Sequence, residues 1–251
     1  MNFLALMRAS LAAAAASAAM WIGSPASAGP AARPLGLAAI DDAEPFALPR
    51  VVLDAGALRD KWLALARKLE DERVQLALCD GDRERCVSPA ALSLLTIIDQ
   101  GRLREGRARL GQINRAINLA IRPASDLAQY GQMDVWASPL MTFERRAGDC
   151  EDYAIAKFVA LQMAGIAADD LRIVILHDVV RGEDHAVAAA RLDGRWLVLD
   201  NQRMAMVQDS DARQVRPLFV IDETGISRYQ ALPLMAEARV LSPESTGSVN
   251  H

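Results

Sequence analysis

The sequence predicts an α+β fold in which N-terminal helices and one further helix pack on an antiparallel sheet. Three observations predict it. Apolar residues recur at helical spacing through the first half of the 251-residue chain, and the second half carries short apolar runs of strand length. Between two of those runs stands Asp193-Gly194, a two-residue hairpin signal.

The first 28 residues have the pattern of a cleavable secretory signal. Arg8 is the only charge there, an Ala-rich apolar run follows, and Ala26-Ser27-Ala28 supplies the small-x-small cleavage pattern before Gly29. An apolar run of about a dozen residues is short of the ~20 needed to span a bilayer. Residues 29–50 are rich in Pro and Ala and predict a flexible linker. A single domain is expected over 51–240 and a disordered tail over 241–251.

Within the domain, Trp62, Leu63, Leu65, Leu69, Val74, Leu76 and Leu78 predict an amphipathic helix over 58–78. Ser88-Pro89 is an N-cap followed by Pro at the first helical position, which starts a second helix running to about residue 99. A third covers 107–121, with Pro123 helping to end it. Residues 125–146 carry Gly131, Pro139 and scattered aromatics without a sustained period, and predict a long ordered loop. A fourth helix is expected over 150–164, stopped by Gly165. Strands follow at 171–176, 185–192, 195–199 and 218–221.

Composition narrows the function. With 28 basic and 32 acidic residues, a net charge of −4 and both signs well mixed, there is no basic stripe for nucleic acid. No later segment has the length and apolarity for stable membrane insertion. Three cysteines in an exported chain leave one over. Cys79 and Cys86 flank a polar loop and are close enough to pair, which leaves Cys150.

Cys150 follows Gly148-Asp149 and opens a helix. There the unpaired amides and the dipole favour a thiolate, and the Cys150 amide can serve an oxyanion. If Asp193 and Gly194 form the turn, Asp200 lies opposite Val187, and His185 is its diagonal neighbour on the same face. With the helix that starts at Cys150 packed over that face, the chain offers a nucleophile, a base and a carboxylate to orient the base. His177 has no comparable carboxylate partner in the expected register. Asp149 and Glu151 flank the nucleophile. Read from residue type alone they cap the helix; the other reading is that they hold a hard cation, for which oxygen ligands suit calcium. Trp136 is a candidate wall of the cleft, with a core tryptophan the equal alternative.

The runs Asp134-Val135-Trp136-Ala137-Ser138-Pro139, Gly148-Asp149-Cys150-Glu151-Asp152-Tyr153 with Lys157, His185-Ala186-Val187 and Leu197-Val198-Leu199-Asp200-Asn201 resemble the bacterial transglutaminase-like cysteine proteases. Ile113-Asn114 through Asn118 fits the same pattern. The resemblance implies a papain-like, transglutaminase-like core, a Cys150, His185, Asp200 triad and a periplasmic location. It implies a protein substrate, with large surface adhesins cleaved by the best-studied members, which disperses biofilm. It also implies calcium at Asp149 and Glu151, in place of simple capping, and control by an inner-membrane regulatory receptor for a cyclic dinucleotide. Acyl transfer on the same triad, and a catalytically silent periplasmic binding module, are the competing expectations. The Cys79 to Cys86 loop lies outside the motifs that carry the resemblance.

Overall fold

The computed structural model describes residues 44–230. The expected signal peptide and C-terminal tail, and most of the expected linker, lie outside the described residues. The last part of that linker is built into the fold. Glu44 is buried, a short 3-10 turn spans Pro45–Ala47, and strand β1 begins at Arg50 (Arg50–Val52). The physical reason is charge, which a reading of Pro and Ala content misses. The Glu44 carboxylate accepts from Arg172 Nε at 2.9 Å and from its Nη2 at 2.8 Å, and Arg50 lies 3.2 Å away.

Helices α1 (Ala57–Gly81), α2 (Pro89–Arg102) and α3 (Gly106–Ala120) follow as expected, each longer or shifted by a few residues. Ser88 caps α2 through its hydroxyl, which accepts from the Ala91 amide, and Pro89 occupies the first turn. In α1 only Trp62, Leu65, Leu76 and Cys79 are buried, while Val74 and Leu78 face solvent. This helix lies on the outside of the helical layer and buries a narrower stripe than its apolar count suggested.

The expected loop over 125–146 is structured. Strand β2 (Arg122–Pro123) leads into α4 (Asp126–Tyr130), which Ser125 caps by accepting from Ala128, and α5 (Pro139–Arg145) precedes β3 (Ala147–Gly148). Both helices are too short to show a period. Strands β2 and β3 pair in parallel, so the end of α3 is tied to the residues just before Cys150.

Helix α6 (Cys150–Met163) is the centre of the molecule. It is buried nearly all round, packed by α2, α3 and α5 on one side and by the sheet on the other. The seven-stranded sheet has order β1-β9-β8-β4-β5-β6-β7, every pair antiparallel. Its other strands are β4 (Leu171–Asp178), β5 (Glu183–Leu192), β6 (Arg195–Leu199), β7 (Val207–Gln208), β8 (Val215–Asp222) and β9 (Gly225–Tyr229). Ala186, Ala188 and Ala190 of β5 face α6, and their small side chains allow close approach of helix and sheet. Strand β8 runs through Pro217 rather than starting after it, because the β4–β8 register shifts beside that residue.

Cys79 and Cys86 form a disulfide across the α1–α2 connection, and Cys150 is free. Among the described residues, no helix is long and apolar enough to cross a membrane.

Candidate active site

The hairpin register is the one Asp193-Gly194 predicts. Both turn residues have positive φ (51° and 74°), and the pairs run from Leu192↔Arg195 to Ala188↔Leu199. The ladder ends there, whereas β5 continues to Glu183, so the edge of β5 over residues 183–187 has no β6 partner. Asp200 is the first residue past β6. His185 Nε2 lies 2.9 Å from Asp200 Oδ1, and both side chains are largely buried. Asp200 Oδ1 also accepts from the Gln202 amide. Burial alone would raise the Asp200 carboxyl. The bonds from His185 and Gln202, with the charges of His185 and Lys157, outweigh it and hold the group below its ordinary value.

One expectation is corrected by the packing. His185 shares its face with Leu176 and Val187, which belong to the core opposite α6, while α6 packs on the Ala186 face. The nucleophile therefore does not sit over the face that carries the imidazole. Cys150 approaches the unpaired edge of β5 from the helix side, with the Ala186 amide close enough to its sulfur to favour the thiolate. His185 and Asp200 reach the same edge from the other side. They line a cavity of about 430 Å³ together with Leu176, Val180, Arg181 and Gln202. A larger cavity of about 760 Å³ lies between α1, α2 and α5, and none of the candidate catalytic residues lines it.

His177 does have a carboxylate partner, contrary to the sequence expectation. Its Nδ1 lies 2.8 Å from Asp184 Oδ1, directly across the β4–β5 ladder. That pair is far more exposed than His185–Asp200, with Asp184 65% and Asp200 15% accessible. An exposed pair is weakened by solvent screening, so the buried pair is the stronger candidate.

Cys150 is partly buried and its thiol donates to Glu151 Oε2 at 2.9 Å. The thiol is pushed up, first by burial and then by the Glu151 charge and bond, against a smaller lowering by the Ala186 amide. Burial, and then the flanking carboxylates whose opposing charge is already present in the sequence, work against the effect of the helix start on the thiol.

The acidic residues sort differently from either expectation. Asp149 is the N-cap of α6 by position, but its side chain makes no capping hydrogen bond. It turns to Asp126 and Asp152, where one carboxylate oxygen from each lies within 4.8 Å of the others. Glu151, expected beside Asp149 as a ligand, is not in this group and faces the sulfur. Asp149 and Asp152 are three apart and share a helix face, whereas Glu151 points elsewhere. Val135 and Ala137 amides hold the outer oxygens of Asp126 and Asp152. Asp126 Oδ1, Asp149 Oδ1 and Asp152 Oδ2 are buried without a hydrogen-bond partner. Burial, then the charges of Glu151, Asp152 and Asp126, raises Asp149 to about 9; Asp152, raised chiefly by burial, reaches about 7. Three carboxylates that turn buried, unpartnered oxygens toward one another form an oxygen-only donor set, and such a set fits calcium.

Trp136 is a core residue, 7% exposed, with the Lys61 ammonium 5.3 Å from its ring. It lines one small pocket together with Glu151 and Ala186, beside the nucleophile, and so backs the site from within. The sequence reading noted Asp152 beside Asp149 but assigned the ligand role to Asp149 and Glu151, and it missed Asp126. The i, i+3 spacing of 149 and 152 was the available signal; for Asp126 there was none.

Residues 76–214, more than half of the chain, match the family model described as bacterial transglutaminase-like cysteine proteinase. The fold is similar to that of Legionella pneumophila LapG. One structure has 22% identity and a TM-score of 0.51, covering 62% of this chain and 86% of that one. An EGTA-treated form has 22% identity and a TM-score of 0.53, covering 68% and 91%. A calcium-bound form has 23% identity and a TM-score of 0.50, covering 55% and 77%. No curated protein matches the chain.

Proposed function

Because the chain belongs to the bacterial transglutaminase-like cysteine proteinases, we propose that it cleaves a protein substrate through a triad of Cys150, His185 and Asp200, in the periplasm and with calcium bound. The observation that carries the triad is the buried His185–Asp200 bond of 2.9 Å, at the strand edge against which Cys150 packs.

Asp200 engages Nε2, which leaves Nδ1 as the nitrogen available to the sulfur. His185 takes the thiol proton, and the thiolate attacks the scissile carbonyl. The Cys150 amide at the start of α6 donates to the resulting oxyanion. The imidazolium then protonates the leaving amine, which departs and leaves a thioester. His185 next removes a proton from water, whose oxygen attacks the thioester and releases the acid and the thiol. Asp200 holds the imidazole in one tautomer and favours its cationic form.

Asp126, Asp149 and Asp152 would hold the calcium. When bound, it supplies positive charge that offsets the carboxylates raising the Cys150 thiol. Their orphaned oxygens support this, as does the calcium-bound state of the like-folded Legionella protein. Support for the periplasm comes from the signal pattern of residues 1–28 and the Cys79–Cys86 disulfide, a bond suited to oxidising compartments. The proposal extends to a large surface adhesin as substrate and an inner-membrane receptor as regulator, both from the family resemblance. The test compares exported proteins from cells carrying the native chain and Cys150→Ala. One large surface protein should shorten only with the native chain. An identical pattern in both, with the variant folded, overturns the reading.

A further inference from the structure

We infer that Lys157 and Asn118 are positioning residues which together fix the backbone on both sides of Asp200 and thereby hold its carboxylate in line with His185. The inference rests on the reading of Asp200 as the residue that orients His185.

Lys157 is wholly buried in α6. Its Nζ donates to Leu199 O at 3.2 Å, and the Tyr153 ring lies 5.8 Å away. No other hydrogen bond of this ammonium occurs among the described residues. A buried cation with one carbonyl acceptor is expensive, and an apolar side chain would fill the space at lower cost. Its presence therefore points to the charge. The charge it faces is Asp200, and the effect is mutual: Lys157 lowers the Asp200 carboxyl, while Asp200 opposes the loss of the Lys157 proton that burial promotes.

Asn118 works from another helix. Its Nδ2 donates to Asp200 O at 2.9 Å and to Arg203 O at 3.2 Å, using both protons on the turn that carries the carboxylate. Asn118 Oδ1 is buried and unpartnered, so the side chain is oriented entirely by what it donates. Asn114, one turn earlier, donates to Met204 O, and Arg107 donates to Met206 O. Helix α3 thus splints the segment from Asp200 to Met206, while α6 holds the peptide just before it.

Consecutive carbonyls, of Leu199 and Asp200, are gripped from two helices, which fixes the torsions on either side of the Asp200 Cα. Lys157 lies two turns after Cys150 on the same helix. The element that presents the nucleophile therefore also grips the strand end that bears the orienting carboxylate.

The test uses the full chain with its disulfide intact and follows iodoacetamide alkylation of Cys150 against pH by mass spectrometry. This reads the sulfur and imidazole without a known substrate. Lys157→Met and Asn118→Leu should each slow alkylation at neutral pH roughly tenfold, short of the ~100-fold that a 1 Å misplacement can cost. Each should also displace the pH profile in the direction seen for Asp200→Asn, with native circular dichroism. If both folded variants give the native profile while Asp200→Asn does not, the positioning role is overturned and the triad stands. If Asp200→Asn also gives the native profile, the triad reading itself fails. Should one variant not fold, the other decides.

Discussion

The Cys150 thiol donates to the carboxylate of Glu151, the next residue in the chain, across 2.9 Å. Burial pushes the thiol up most, and the charge and hydrogen bond of its own neighbour add to the effect. Glu151→Gln removes the charge and keeps the size. In chelator, alkylation of Cys150 in this variant should be faster than in the native chain by roughly tenfold, the change expected for one unit in the thiol pKa. An unchanged rate would mean that burial alone controls the thiol.

Lys157 predicts a pH dependence of stability. Burial lowers it from an ordinary 10.5 to about 7 in the folded chain. Between those values the unfolded chain holds a proton that the folded chain has released, so raising the pH through that window favours folding. Below about 7 both states carry the proton, and the folded state bears the full burial cost. Urea midpoints of the native chain should therefore rise relative to Lys157→Met between about pH 7 and 10.

Calcium should stabilise the folded chain without any substrate present. At a hundredfold excess over Kd, a ligand bound only by the folded state contributes about 2.7 kcal/mol. The melting temperature should rise with calcium, return with EGTA, and respond little in Asp126→Asn or Asp149→Asn. A native melting curve indifferent to calcium removes the metal from the proposal.

Gly148 provides an independent probe of the same cluster. A Cβ at this position would stand 2.7 Å from Asp152 Cβ and 2.9 Å from its Oδ2. Gly148→Ala must displace Asp152 or the chain beside it, costing about 1–3 kcal/mol by urea denaturation. It should also shrink the calcium-induced rise in melting temperature.

The Cys79–Cys86 bond closes a seven-residue separation. Chain entropy assigns such a loop about 2.5 kcal/mol. Cys79→Ser/Cys86→Ser should lower the urea-derived stability by about that amount, and reduction of the native chain should do the same.

Legibility in the sequence followed the range of the interactions. Ser88-Pro89 and Asp193-Gly194 act through their own backbone torsions, so the start of α2 and the register of β5 on β6 could be read directly. The pairing of His185 with Asp200 followed from that register. Which face α6 covers depends on the alanines of β5 meeting a helix from elsewhere, and no local pattern carries that. Asp126 joins Asp149 and Asp152 through two short helices that lack a period. His177 meets Asp184 through a β4–β5 register whose turn carries no two-residue signal. Lys157 and Asn118 were visible as motif residues, yet their acceptors are backbone carbonyls that sequence does not mark.

The Glu44–Arg172 pair sets a practical limit on dissecting this molecule. Both partners are almost inaccessible, and they are held by two parallel bonds at 2.9 and 2.8 Å. Expression boundaries drawn at the first residue of β1 would delete the carboxylate and leave the buried Arg172 guanidinium with only the carbonyls of Ala168, Asp169 and Leu171 as hydrogen-bond acceptors, its charge uncompensated at a cost of about 3–5 kcal/mol. Any shortened version intended for crystallisation or screening therefore has to start upstream of position 44.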